Sequence, residues 1–115
     1  MTDRANILRQ TMITVGAAEM ARDIAVITRL GTDADRPALV WLGGYRSDMS
    51  GTKAIEMDAL AAEQGITAIR FDYSGHGVSG GDFAKGTISR WTEEALAVIA
   101  ATGVSKVVLI GSSMG

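Results

Sequence analysis

Near the end of the 115-residue chain stands Gly111-Ser112-Ser113-Met114-Gly115, a serine with glycines two places before and two places after it. The spacing has a steric meaning. When a strand reverses into a helix within a few residues, the serine at the apex takes a strained backbone and its oxygen is thrust outward. The flanking positions then approach so closely that a side chain would clash. Lys106 to Ile110 before it, apolar from Val107 on, is a strand of the kind such a turn requires. A hydroxyl presented this way can attack a carbonyl carbon. The bland alternative is an ordinary glycine turn after a strand.

An attack on a carbonyl also needs N–H donors aimed at the oxygen that gains charge. Two segments offer them. The residue after the serine, Met114, supplies one. Leu42-Gly43-Gly44-Tyr45 follows a second apolar run, Ala38 to Leu42, and its glycines let the chain pass close enough to offer the Tyr45 amide. On its own this second segment also reads as a plain strand-to-helix loop.

A third glycine group, Asp72-Tyr73-Ser74-Gly75-His76-Gly77-Val78-Ser79-Gly80-Gly81, brings in a rival chemistry. Gly75, Gly77 and Gly80 make G-x-G-x-x-G directly after a strand, the pattern of a dinucleotide-binding module. That pattern should open a helix at once, but Gly81 to Gly86 does not read as a helix start. It should also lead to an acidic residue at the end of another strand, yet Glu93 and Glu94 fall inside a helical stretch. Lys85 is followed by Gly86, so a Walker A reading fails as well. His76 is the one histidine of the sequence and so the one candidate base for Ser113 here. With no acid partner evident, it reads instead as a loop residue shaping its turn or lining the pocket. Asp72 is expected to tie down its own loop through backbone N–H groups. Trp41 and Trp91 occupy apolar positions and read as core.

The elements that must carry these loops follow from periodicity. Gln10 to Val15 and Asp23 to Leu30 are β-rich, and Pro37 opens the Ala38–Leu42 strand after a polar turn. Thr52 to Gln64 is a helix with Ala54, Met57, Leu60 and Ala61 on one stripe, Ser50 as a cap and Gly65 as its left-handed stop. Ile66 to Tyr73 is the next strand. Ile88, Trp91, Ala95, Val98 and Ile99 form the stripe of a second helix stopped by Gly103, and Lys106 to Ile110 closes the series. Strand, helix, strand, helix, strand with connections of this length predicts parallel neighbours and right-handed crossovers. Ligands of such sheets bind beyond the carboxyl ends of the strands, where all three glycine groups lie.

Composition sets the outer bounds. The chain is 47% hydrophobic, enough for one modest core, and its net charge of −2 gives no field favouring nucleic acid or anionic lipid. With no cysteine there are no disulfides and no thiolate chemistry. Met1-Thr2-Asp3-Arg4 carries a charge of each sign and no signal-length apolar stretch follows, so no membrane span and a cytoplasmic location are expected.

Taken together, strand–Gly-Gly-Tyr, helix, Asp-Tyr-Ser-Gly-His-Gly-Val-Ser, helix, strand–Gly-Ser-Ser-Met-Gly resembles the N-terminal half of the alpha/beta-hydrolase fold superfamily. The resemblance runs from about Arg22 to Gly115. Three stretches are similar to the branch of palmitoyl-protein thioesterase and acyl-glucuronide esterase, mitochondrial in mammals, and to bacterial relatives. They are Gly44 to Ala54, Arg70 to Gly75 and Gly111 to Gly115. What the resemblance implies is a single incomplete domain over residues 1–115, with five strands, two helices on opposite faces and a mostly parallel sheet, cut at the serine turn. It implies a serine hydrolase of carboxylic esters or thioesters, with Ser113 as nucleophile and the Tyr45 and Met114 amides as oxyanion hole. The catalytic histidine and acid would lie beyond Gly115, and no cofactor or metal is implied. The substrate would be a small acyl ester or thioester. A binding module that keeps the fold without the chemistry is the alternative, ahead of a dinucleotide module on Gly75, Gly77 and Gly80. The resemblance also places a strand beyond Lys106–Ile110 that this chain does not supply, so the isolated chain is expected to self-associate through that edge and to be inactive.

Overall fold

The computed structural model describes residues 8–33 and 35–115; the charged start at Met1 to Arg4 lies outside them. Five strands, β1 (Leu8–Val15), β2 (Arg22–Arg29), β3 (Ala38–Leu42), β4 (Ala68–Phe71) and β5 (Val107–Gly111), form one sheet in the order β1-β2-β4-β3-β5. β3 lies between β4 and β5 and runs parallel to both. The crossovers carry α1 (Thr52–Gln64) and α2 (Ile88–Thr102). β1 and β2 form an antiparallel flank, and β2 also runs antiparallel to β4. Sequence spacing predicts the parallel neighbours but is silent on that flank.

The pleat explains the two cores. On β3, Ala38 and Val40 face one side while Leu39 and Trp41 face the other; on β4, Ile69 and Phe71 alternate with Ala68 in the same way. One side packs against Trp91 and Val98 of α2, together with Ile24 and Val26 of β2. The other packs against Ala54, Met57 and Ala61 of α1. Trp41 and Trp91 are both buried, as their apolar positions predict.

The helix ends show which local signals were decisive. Gly65 (φ +68°) and Gly103 (φ +71°) stop the two helices in the left-handed conformation. α2 is capped by the Thr87 hydroxyl, which accepts from Arg90 N–H at 3.1 Å. Ser50, by contrast, does not cap α1: Gly51 is the cap and no side chain contributes. The α1 stripe also differs in one member. Leu60 is exposed and Asp58 is buried, because its carboxylate takes both Arg29 (3.0 and 2.8 Å) and, more distantly, Arg70 (3.9 Å). A buried carboxylate with cationic partners displaces an apolar side chain that water tolerates singly.

β5 is half-covered. Val108 and Leu109 are exposed, and among the described residues β5 pairs with β3 alone. Ile88 and Leu96 of α2 are exposed on the same flank, and an apolar cleft of about 210 Å³ runs between α2, β5 and Met114.

Candidate active site

The carboxyl ends of β3, β4 and β5 bring the three glycine groups together. β5 runs out at Gly111 and the chain turns sharply, Gly115 N–H returning to the Ser112 carbonyl at 3.0 Å. At the apex Ser113 has φ +57°, a left-handed conformation that costs a non-glycine residue about 1–3 kcal/mol. The close approach expected of the flanking glycines is present. A Cβ on Gly111 would overlap the Gly115 carbonyl, and one on Gly115 would overlap the Leu42 carbonyl. The turn is pinned to the end of β3 by Ser112 N–H donating to Leu42 O at 3.1 Å. Gly44 lies against the serine itself: a Cβ there would stand 3.2 Å from Ser113 Cβ.

Gly44 opens a tight turn closed by Ser47 N–H on Gly44 O at 3.1 Å. Arg46, at its third position, has φ +61°, the pattern of a type II turn, where glycine is the usual occupant. Tyr45 and Met114 share one property. Among the described residues neither backbone N–H has an intramolecular hydrogen-bond partner. The loop after β4 is the opposite case. The N–H groups of Gly75, His76, Val78, Ser79 and Gly80 are all consumed, by Gly80 O, Tyr73 O, the Asp72 carboxylate, His76 O and Asp23 O respectively. A pyrophosphate cradle needs those donors free. The helix the fingerprint demands is missing too: a single 3-10 turn at Phe83–Lys85 intervenes and α2 begins at Ile88. A Cβ on Gly77, at φ +49°, would overlap the Asp72 carboxylate, so this glycine serves packing around that aspartate.

Asp72 ties down its loop as expected and does more. Its carboxylate accepts from Val78 N–H at 2.9 Å and also from Met49 N–H at 2.7 Å, joining the loops that follow β3 and β4. His76 is 5% exposed and bonded at both ring nitrogens. Nε2 lies 3.0 Å from Arg46 N, and Nδ1 lies 3.0 Å from the Ser74 carbonyl. A backbone N–H only donates, so Nε2 is the bare nitrogen and the proton sits on Nδ1. With its lone pair engaged by Arg46, this imidazole is not offered to Ser113.

Sequence reasoning missed Glu94. It is fully buried and accepts from Ser74 N–H (2.7 Å), Ser74 Oγ (2.6 Å) and Arg22 Nε (2.8 Å). The signal was present: Glu94 falls three residues after Trp91 and four before Val98, on the apolar stripe of α2. Burial pulls the Arg22 guanidinium down, but the bonds to Glu94 and Glu93 and the charges behind them outweigh it and hold the group above its ordinary pKa. The Tyr73 phenol is pushed up from its ordinary value by burial, then by the Glu94 charge. Among the described residues no cluster of histidine, cysteine and carboxylate side chains is arranged to hold a metal ion.

Against known proteins, the chain is similar to a putative hydrolase from Agrobacterium vitis S4, with 59% identity and a TM-score of 0.93 over 95% of this chain and 42% of that one. Alpha/beta hydrolase domain-containing protein 10 from mouse matches at 30% identity and a TM-score of 0.79, over 91% of this chain and 40% of that one. The chain is an alpha/beta-hydrolase relative carrying part of that fold. The curated mouse sequence, mitochondrial palmitoyl-protein thioesterase ABHD10, is 35% identical over 79 residues, 69% of this chain and 27% of its own length. The chain thus spans about a quarter of the curated relatives it matches. No family model matches it. Those relatives are named as mitochondrial, a compartment that differs from the expected cytoplasmic location. Among the described residues no helix is long and apolar enough to cross a membrane.

Proposed function

We propose that the protein carrying this chain is a serine hydrolase that cleaves a carboxylic ester or thioester, with Ser113 as its nucleophile. The observation that carries the reading is a serine at φ +57° flanked by two loops whose Tyr45 and Met114 N–H groups have no partner within the described residues. The names of the relatives, a putative hydrolase and a palmitoyl-protein thioesterase, support the same class.

In this reading Ser113 Oγ attacks the acyl carbon, and the hydroxyl proton passes to a histidine base. The carbonyl π pair moves onto oxygen, where the Tyr45 and Met114 amides receive it, each donor worth about 2.7–4 kcal/mol in the transition state. The oxyanion collapses, the alcohol or thiol leaves with the proton, and water releases the acid from the acyl-enzyme by the same route. His76 is not the base, since its lone pair is engaged by Arg46 N–H. In this reading the base and its acid come from the longer protein, after Gly115. Because loops and strand ends are already fixed by the sheet, the donors need no rearrangement as charge develops, which is what makes such a site effective.

A fluorophosphonate probe on the full-length protein should label Ser113, and Ser113→Ala should abolish both labelling and p-nitrophenyl ester turnover. Turnover surviving in the alanine variant would remove Ser113 from the chemistry.

A further inference from the structure

We infer that His76 is a positioning residue: its imidazole clamps the Arg46 N–H and so holds the Tyr45 amide in place to receive an oxyanion. The inference rests on the serine-hydrolase reading and assigns a role to a histidine that takes no part in proton transfer.

The argument starts from strain. Arg46 occupies the third position of the Gly44–Ser47 turn at φ +61°, where a side chain is disfavoured. An arginine left to itself relaxes to negative φ by turning over the Tyr45–Arg46 peptide; this withdraws Arg46 N–H from the loop after β4, so the turn that carries the Tyr45 amide loses the bond tying it to that loop. The turn's own closing bond, Ser47 N–H to Gly44 O, is compatible with either peptide orientation. His76 Nε2 is not: it accepts from Arg46 N–H at 3.0 Å in the observed orientation alone.

The clamp is itself held. His76 Nδ1–H donates to the Ser74 carbonyl at 3.0 Å, which fixes the tautomer that leaves Nε2 bare. The Ser74 N–H and hydroxyl are anchored on Glu94, and Glu94 on Arg22, so the hydrogen-bonded line runs from β2 and α2 to the oxyanion loop. Rings of Phe83 (5.3 Å), Trp91 (5.4 Å) and Tyr73 (5.9 Å) wall the imidazole and set its plane. From the other side, the Arg46 guanidinium lies 5.3 Å from the Phe83 ring and 5.6 Å from the Tyr45 ring.

Removing the imidazole has a selective effect. The Ser74 carbonyl keeps the Trp91 Nε1–H at 3.3 Å, so the loop after β4 retains its anchor. Arg46 N–H loses its acceptor. His76→Leu fills the aromatic box without a lone pair, and His76→Phe repeats the test should the leucine variant not fold. His76→Gln puts an amide oxygen where Nε2 was.

The experiment uses the full-length protein, a p-nitrophenyl ester, and an alkyl trifluoromethyl ketone as the oxyanion probe. In the probe, Ser113 Oγ bonds to the carbonyl carbon, the π pair moves onto oxygen and the hydroxyl proton goes to the base, so its Ki reads oxyanion stabilisation. Deleting a donor outright costs 10²–10³ in rate, so displacing one in His76→Leu should lower kcat by roughly 10- to 100-fold with KM little changed. The ketone's Ki should rise by the same factor, and His76→Gln should recover much of both. An unchanged Ki beside a fallen kcat, or equal losses in the leucine and glutamine variants, overturns the clamp. So does full activity in His76→Leu. Turnover in Ser113→Ala would sink the hydrolase reading instead, a separate failure with a separate readout.

Discussion

Arg22→Leu is the sharpest perturbation of the framework behind the site. The Arg22 guanidinium donates to Glu94 at 2.8 Å, to Glu93 at 2.6 Å and to the carbonyls of Met20 (2.9 Å) and Arg90 (3.2 Å). The two acidic partners are not equivalent. The Glu93 side chain is 57% exposed, and pairs of that kind contribute about 0–1 kcal/mol. The Glu94 side chain is 0% exposed, and taking away the cation leaves its charge in the core with the Ser74 donors alone. Breaking a buried pair from one side costs about 3–5 kcal/mol. The worth of the intact pair is smaller, because its formation had already met the desolvation cost of both ions. The double variant Arg22→Leu with Glu94→Gln should therefore be more stable than Arg22→Leu by about 2 kcal/mol, since the neutral amide still accepts from Ser74 N–H. Glu93→Ala should cost under about 1 kcal/mol. Urea unfolding of the full-length protein and the three variants, followed by tryptophan emission, gives these values. Arg22→Leu no worse than Glu93→Ala, or a second substitution that deepens the loss, would refute the assignment of the cost to an orphaned buried carboxylate.

Two further outcomes follow from the strand ends. Gly111→Ala or Gly115→Ala sets a Cβ against backbone carbonyls at the serine turn, and a displacement near 1 Å at the reacting oxygen lowers ester turnover about 100-fold; turnover within a few-fold of the parent would show that the turn can open harmlessly. The isolated 115-residue chain should sediment as oligomers through β5, where Val108 and Leu109 are exposed, and Leu109→Lys should shift it toward monomer; a monomeric parent chain would refute the edge argument.

Much of this molecule is written locally. The α1 range agrees with its periodicity, and both helices stop at the glycines that mark their ends. The serine turn and its close-approach glycines follow from the pentapeptide spacing together with the strand before it. What escapes is whatever depends on a distant partner. Asp58 replaces Leu60 in the buried stripe because Arg29 lies across the interface from it, and no window within α1 contains that arginine. Glu94 is buried because Arg22 and Ser74, 72 and 20 residues away, converge on it. His76 illustrates the same limit from the other direction. As the lone histidine of a chain with a candidate nucleophilic serine it has to be weighed as a base, and only the position of Arg46 N–H, 30 residues away in sequence, shows where its lone pair goes.

The central place of β3 also governs how the chain can be made. β3 is synthesised before either of its neighbours, and its second partner begins at Val107, 65 residues after Leu42. At translation rates of about 5–20 residues per second, Ala-Leu-Val-Trp-Leu waits roughly 3–13 s with one backbone edge unpaired. The antiparallel β1–β2 hairpin can close meanwhile, but it cannot shield β3, because β4 stands between them. Arg36 and Pro37 immediately precede the apolar run. A charge and a residue that cannot donate to a ladder are the features that discourage premature pairing with a neighbouring nascent chain. The fold that brings β3 into the middle of the site thus makes the same five residues the strand whose edge waits longest for its partner, and the two residues in front of them act as its guard.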